Sequence, residues 1–412
     1  MGIASNPVVR YVSTRGAAEP VDFAQVLLTG LAPDGGLYVP EGFPRLPDGW
    51  EAWAYPQALA GTLELFGSSD VAHLVAEAAS RFRHPEVAPL VEVGDRLVFE
   101  LFWGPTLSFK DHALQVLARL LNREVDQGVV LGATSGDTGS AAIEACRGSA
   151  HLRVVVLFPE GRVSEFQRRQ MTTVPDDNVT ALAVQGTFDD CQAMVKEAFA
   201  HHRGLLAFNS INWARIAAQA GYYVYLGTRL GEPFDLVVPT GNFGNVYSAW
   251  LAKQMGVPIE IITIANNAYH GLADLIKGGQ MRPGPVVATV APAMDIAIPS
   301  NLERFDADPT REFRAGWSDD DQIRRTIAEV ADVHGYLLDP HTATAWRAGA
   351  ETQGDRLQVV VATADPAKFA DTVEAATGTR PALPVGLEDL FERPERETTI
   401  AADPSALEAF IR

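Results

Sequence analysis

From about residue 128 the chain alternates between two hydrophobic periods. The segments "GVVLGAT", "LRVVVLF", "NVTALAVQ", "LLAFNS", "FDLVVPT", "IEIITIA" and "LQVVVATA" are short, β-branched and apolar at nearly every position. Strands buried on both faces of a largely parallel sheet have this pattern, because neither face requires a polar register. Between them lie segments of helical length with one apolar stripe. In "FGNVYSAWLAKQMG", Val246, Tyr247, Trp250, Leu251 and Met255 fall on one face. In "SDDDQIRRTIAEVADVHG", Ile323, Ile327, Val330 and Ala331 do the same, with Ser318 and Asp321 spaced as a capping box. Strand and helix in alternation predict an α/β fold with helices on both sheet faces.

Residues 1–95 mix glycine- and proline-rich turns ("LAPDGGLYVPEGFPRLPDGW") with short helices, and predict a separate N-terminal region. A break near Ala220 to Gly231 divides the strands into two groups, so 96–220 is expected to form a smaller lobe and 221–380 a larger one, with a cleft between them. The proline-rich tail, 381–412, is expected to wrap the surface.

At 412 residues the chain is long enough for two or three domains. A hydrophobic content of 47% and a charged content of 21% fit a folded, enzyme-sized protein. The net charge of −19, with no basic run denser than Arg168-Arg169, argues against nucleic acid as a partner. Cys146 and Cys191 form no CxxC pair, and the nine histidines show no ligand spacing, so neither a disulfide framework nor a metal site is expected. No apolar run approaches the roughly 18 residues of a membrane span. The opening "MGIASNPVVRYVSTRG" lacks a basic region followed by an apolar one, and a cytoplasmic location is expected.

Candidate chemistry gathers at the carboxyl ends of the strands, where ligands collect in open parallel sheets. "LGATSGDTGSAA" runs from a strand through Thr134, Ser135, Gly136, Asp137, Thr138 and Gly139 into a helix. "VVPTGNFGNVY" does so through Thr240, Gly241, Asn242, Phe243, Gly244 and Asn245, and "VVVATADPAKF" ends a strand at Thr363. A glycine turn at a helix start offers free N–H groups and the positive end of the helix dipole, which suits a phosphate or carboxylate. Any one such turn taken alone is better explained by tight strand-to-helix geometry. With no GxGxxG and no GxxxxGK[ST], a dinucleotide or nucleoside triphosphate is disfavoured. A small phosphorylated cofactor with an anionic substrate remains.

The chain has only five lysines: Lys110, Lys196, Lys253, Lys277 and Lys368. Lys110, in the apolar "FWGPTLSFKDHALQ", is the one whose surroundings ask for a chemical reason; the plain alternative is a helix-start lysine paired with Asp111. Lys196 and Lys253 fall on solvated helix faces, Lys277 in a loop and Lys368 at a polar helix start. One lysine in an apolar setting, added to a phosphate-binding turn, points to an aldehyde cofactor held as a Schiff base.

The motifs "GPTLSFKDHA", "GATSGDTGSAA", "VPTGNFGN" and "VATADPAKF", in this order, resemble those of the threonine synthases, pyridoxal-phosphate enzymes of fold type II. Further matching segments are "YVSTRG", "NVTALAVQGTFDDCQ", "NSINWARIAAQ" and "AMDIAIPSNLERF", so the resemblance spans residues 11 to about 375. It implies two open, twisted, mostly parallel α/β lobes with pyridoxal 5′-phosphate in the cleft. Lys110 would be the Schiff-base lysine, the Gly241, Asn242, Phe243, Gly244 and Asn245 loop would hold the cofactor phosphate, and Thr363 would face the pyridine nitrogen. Thr134, Ser135, Gly136 and Thr138 would cradle the substrate carboxylate, with Asp137 near the cofactor's ring hydroxyl. Arg215 would clamp the substrate phosphate, oriented by Asn209, Ser210 and Asn212; Arg15 and Arg168 are weaker phosphate-side candidates. The implied reaction converts O-phospho-L-homoserine and water to L-threonine and phosphate, in a monomer or homodimer. Another fold type II lyase of threonine or serine dehydratase type, or a non-catalytic relative, is the alternative. The chain departs from the family where Asp365 replaces the usual histidine, which places a negative charge near the pyridine end.

Overall fold

The computed structural model describes residues 9–281, 287–305 and 308–412. Among these residues the strands, in chain order, are β1 (Tyr11–Ser13), β2 (Tyr38–Pro40), β3 (Leu90–Val93), β4 (Arg96–Glu100), β5 (Gly128–Ala133), β6 (Leu152–Pro159), β7 (Val179–Gln185), β8 (Leu205–Leu206), β9 (Phe234–Pro239), β10 (Ile259–Asn266), β11 (Phe313–Trp317), β12 (Gln358–Ala362) and β13 (Thr398–Ala401). They form a six-stranded sheet, β11-β10-β9-β12-β4-β3, a five-stranded sheet, β13-β7-β6-β5-β8, and the small β1-β2 ribbon. Both large sheets are parallel except for the antiparallel β3–β4 hairpin. Every strand predicted from the apolar runs is present, and β9 and β12 are buried at each position. Burial on both faces is the condition that removes alternation from a strand.

The strand pairing departs from the expected lobe boundaries in two places. β4, inside the segment expected to build the smaller lobe, pairs in register with β12 of the larger sheet, Leu97 opposite Val359. The tail does more than wrap: β13 adds a parallel strand to β7 at the edge of the smaller sheet. The chain therefore starts in the larger sheet, crosses to build the smaller one, and returns. The return is made by the helix Trp213–Leu230, which runs unbroken through the expected boundary and ends where Gly231 (φ 68°) takes the left-handed conformation. Residues 101–109, between β4 and the helix Lys110–Glu124, make the outward crossing. Lys110 thus stands where the chain passes from one sheet to the other.

Two helix details shift. The helix Asp320–His334 is capped by Asp319, with Gln322 completing the capping box, one residue later than expected. Ser318 still belongs to the strand end, its N–H donating to the Asn266 carbonyl at 3.0 Å. The helix Gly244–Met255 is buried around nearly its whole circumference, so its apolar stripe is part of a fully enclosed helix.

The tail is fastened by an apolar cluster in which Leu387 and Leu390 pack with Leu107 and Phe166. Phe391 meets Phe166 edge-on, with ring centroids 6.2 Å apart. Arg168, weighed above as a phosphate contact, instead pairs with Glu395 of the tail. No helix among the described residues is long and apolar enough to cross a membrane.

Replacement of buried Leu390 (1% exposed) tests this anchor against Val385 (83% exposed) in the same tail. Leu390→Ala is expected to lower unfolding stability by about 2–5 kcal/mol, and Val385→Ala to stay within about 0.5 kcal/mol, both read by denaturant titration.

Candidate active site

The lysine-bearing turn is pinned to the end of β12. The Thr363 carbonyl accepts from the Phe109 N–H at 2.9 Å and the Leu107 carbonyl from the Asp365 N–H at 3.1 Å, with Ser108 and Ala364 forming a bridge. Leu107 takes φ 63°, a conformation that a branched side chain seldom adopts and that the surrounding bonds must enforce. Asp111 is engaged away from Lys110, accepting from both the N–H and the hydroxyl of Thr106 at 2.8 Å. The simple helix-start pair with Asp111 is therefore not what the structure makes. The Lys110 ammonium lies 3.0 Å from Asp137 Oδ2 and 4.6 Å from the Phe109 ring centre.

Asp137 opens the helix Asp137–Cys146, where the dipole favours a negative charge. Its Oδ1 accepts from Gln167 Nε2 at 2.7 Å and lies 2.8 Å from the Lys368 ammonium. Lys368 does not lie at an exposed helix start as its sequence context predicts: it is 1% exposed and also donates to the Thr106 carbonyl at 2.7 Å. Burial alone would raise the Asp137 carboxyl, but Lys110 and Lys368 outweigh it and hold the group well below the usual carboxylate range. Burial pulls the Lys110 amine down, Asp137 opposes this, and the Arg215 and Lys368 charges add to the lowering. A buried carboxylate shared by two ammonium groups is the electrostatic centre of the site.

The first glycine turn carries Asp137 itself, and the second ends β9, the neighbour of β12 in the larger sheet. In the first, Thr134 Oγ1 accepts from the N–H groups of Gly136 and Gly139 at 2.9 Å, so this hydroxyl shapes the loop. Gly136 takes φ 140°, and a Cβ there would meet Gln167 at 2.4 Å. Ser135 is exposed and Thr138 half-buried, leaving both open to a ligand. In the second turn Thr240 Oγ1 accepts from the Phe243 N–H at 3.1 Å. Phe243 (φ 63°) caps the helix Gly244–Met255 in the left-handed region, with its ring enclosed by Phe305 and Phe313. A Cβ on Gly241 would sit 2.7 Å from Met294 Cα. The Asn242 side chain stitches the turn to its neighbours, donating to Ser210 Oγ at 2.5 Å and accepting from Ser300. Asn245 Oδ1 accepts from the hydroxyls of Tyr222 and Tyr223.

Arg215 is buried at 4% exposure, donates to the Phe208 carbonyl at 3.0 Å, and has no hydrogen-bond partner for its buried Nε. Burial lowers it to about 10. Asn209 is exposed, and Ser210 sits under Asn242 and Asn301. Asn212 is engaged in the fold and not toward a substrate: it caps the helix Trp213–Leu230, and its amide donates to the Leu27 and Ala207 carbonyls. Arg15 lies outside the cluster, exposed and paired with Glu303 at 3.0 Å. Asp365 turns back on its own backbone, accepting from the Ala367 N–H at 2.8 Å as a helix cap; burial raises it to about 6.

Three comparisons bear on this arrangement. The family model described as pyridoxal-phosphate dependent enzyme matches residues 92–364, with threonine synthase N-terminal and C-terminal models on 10–74 and 342–411. A threonine synthase of Pseudomonas aeruginosa is 41% identical, with 98% of each chain covered. The crystal structure of a pyridoxal-phosphate-bound threonine synthase from Brucella melitensis superposes with a TM-score of 0.92 at 39% identity, covering 98% of each chain. The Escherichia coli threonine synthase structure superposes with a TM-score of 0.89 at 32% identity, covering 97% of this chain and 98% of that one. The chain belongs to the threonine synthase family.

The residues present fit the cofactor of that family. A threonine synthase fold must supply a buried amine for the aldehyde and a phosphate cradle, and here Lys110 offers the first. The first-turn N–H groups of the helix opening at Gly244, which lack intrahelical partners, offer the second. Gln167, Lys368, Asn301 and Arg304 were not assigned roles from sequence. Arg304, fully enclosed, donates to the carbonyls of Tyr38, Ser210 and Ile211 and to Asn301, tying the 210–212 turn to its own 300–304 turn, where Asn301 donates to the Asn242 carbonyl. The segment "SNLERF" carrying both residues was visible as a threonine synthase match, but nothing local showed which side chains turn inward.

Asp137→Asn would leave two buried ammonium groups without their carboxylate, and is expected to lower stability by about 3–5 kcal/mol at neutral pH. The folded state holds the Asp137 carboxyl below its ordinary value of 3.8. Its stabilisation is therefore complete above that value and lost as pH falls below it. Denaturant titrations of both proteins should show the gap present at pH 7 and closing below pH 3.8.

Proposed function

We propose that the chain converts O-phospho-L-homoserine and water to L-threonine and phosphate, using pyridoxal 5′-phosphate carried by Lys110. The observation that carries this is the buried Lys110 amine, 3.0 Å from Asp137 of the first glycine turn, in a chain of the threonine synthase family. When bound, the cofactor supplies an electron sink conjugated to the substrate α-carbon. The protein's own groups do the rest. Lys110 would hold the cofactor and, once free, would take the Cα proton and serve the later proton transfers; burial and the neighbouring cations favour the neutral amine that this requires. Ser135, Thr138 and the N–H groups of their turn receive the substrate carboxylate. Arg215 holds the phosphate as it leaves Cγ, its fork engaged by the Phe208 carbonyl and its Nε left without a partner. A buried guanidinium aimed at developing charge is worth more than one in water. Closure of the two lobes delays water until the β-carbon is ready to accept it. Thr363, at the end of β12, would hold the ring end of the cofactor, while Asp365 is engaged as a cap by the Ala367 N–H. The same reading places the protein in the cytoplasm, acting on a small molecule as a monomer or homodimer.

Turnover of O-phosphohomoserine, followed by phosphate release with threonine identified as product, tests the assignment. Lys110→Ala is expected to abolish it. Arg215→Met is expected to reduce kcat/KM by about 10²–10³, the scale of a lost preorganised charge contact. Consumption of threonine in place of its formation would instead mark a dehydratase.

A further inference from the structure

Lys368 is the buried charge that the proposed mechanism leaves idle. Its side chain is wholly enclosed, yet its ammonium reaches a carboxylate that already serves Lys110. A lysine whose only task was to fill space would be replaced at less cost by an apolar residue, because burying an ammonium is expensive even when paired. Two of the five lysines in the chain converge on one aspartate.

We propose that Lys368 is a positioning residue for Lys110: anchored on the Thr106 carbonyl, it occupies one oxygen of Asp137, keeps that carboxylate from serving Lys110 alone, and so holds the Lys110 amine ready to attack. Its use toward the cofactor aldehyde rests on the function proposed above; the effect on the amine itself does not.

The geometry divides the carboxylate between its neighbours. Oδ1 takes Lys368 at 2.8 Å and Gln167 at 2.7 Å, while Oδ2 faces Lys110 at 3.0 Å. Lys368 cannot drift, because the Thr106 carbonyl fixes it from the other side at 2.7 Å. Thr106 is itself held through Asp111 on the first turn of the Lys110 helix, so both lysines are referenced to one short segment. The other charges near the pair are few. Arg215 on the helix Trp213–Leu230 acts on Lys110 in the same direction as Lys368. His341 faces Asp137 from the helix Pro340–Thr352. Its Nε2 accepts from the Ala293 N–H at 3.2 Å, and its Nδ1 lies 2.8 Å from Asp339. Asp111 and Asp365 face Lys368, and both carboxyls are pushed up to about 6 by burial. Without Lys368, Asp137 would pair with Lys110 alone, and the ammonium form of Lys110 would gain both a full counter-ion and relief from a like charge.

Competitive acetylation of the full chain, freed of cofactor, with acetic anhydride across pH and peptide mapping by mass spectrometry reads this directly. In the wild type, Lys110 should reach half-reactivity at lower pH than the exposed Lys196 and Lys277. Lys368→Met should move that midpoint upward and cut Lys110 acetylation at pH 8 by about tenfold. Asp137→Asn should move it downward. Opposite shifts are not what general loosening of the pocket produces. An unchanged Lys110 profile in Lys368→Met would overturn the proposal. If that variant does not fold, Lys368→Gln, which keeps a donor for the Thr106 carbonyl, is expected to show the same upward shift, and an unchanged Lys110 midpoint there would overturn the proposal. The reagent involves no cofactor: the expected shifts in a chain that fails to capture pyridoxal phosphate would support this proposal and sink the function proposed above.

Discussion

One carboxylate between two buried ammonium groups is the interaction on which the site depends. Removing any of these charges from water is costly, and Coulomb attraction repays it only when geometry and hydrogen bonding are complete. Asp137 meets that condition through Lys110, Lys368, Gln167 and the start of its own helix. Arg215 adds a further buried cation in range of Lys110, and its guanidinium is a charge that an entering anion can meet without leaving the pocket.

The fold brings these charges together because the chain crosses from the larger sheet to the smaller and back before β13 rejoins the smaller one. β4 lies beside β12, and the chain leaves the larger sheet through the turn that β12's end holds in place. Thr363 and Lys110 are far apart in sequence and fixed to each other by the Phe109 N–H and its carbonyl partner. The smaller sheet then presents Asp137 at the end of β5, and the larger presents the Gly244 helix at the end of β9. Both are carboxyl-end positions, where strand termination and helix initiation leave backbone groups free. The tail bolts the arrangement from outside. Leu387 and Leu390 pack against Leu107, in the lysine turn, and against Phe166, one residue before the Gln167 that holds Asp137.

What was legible in the sequence was what local chemistry determines. Strands β9 and β12 are buried at every position and β5 to β7 and β10 at half or more of theirs, so they read as near-continuous apolar runs, and the glycine turns show their conformation in their composition. β3, β4 and β13 escaped notice because they are four or five residues long and lie in segments whose flanks are rich in charged residues. Lys110 stood out against apolar neighbours. Lys368 did not, since Asp365 and Pro366 before it resemble an ordinary surface helix start, and the partner that buries it, Thr106, is 262 residues away. Asn212 shows the opposite case: the resemblance sets it beside Arg215 to orient a ligand, while the fold engages its side chain as the cap of the helix Trp213–Leu230.

The same limit explains the departure at Asp365. From sequence, an aspartate in the place of histidine near the cofactor nitrogen looks like a change in the electronics of the site. In the fold, the position is an N-cap, where the backbone N–H of Ala367 asks for an acceptor and aspartate is among the best residues to supply one. Burial and the nearby Asp339 push its carboxyl up to about 6, so near neutral pH it stays within reach of protonation. The charge that sequence places beside the pyridine is thus committed to its own backbone, leaving Thr363 as the polar side chain at the end of β12. Substitution at a site is therefore measured by the partner the new group takes, and here that partner is the chain itself.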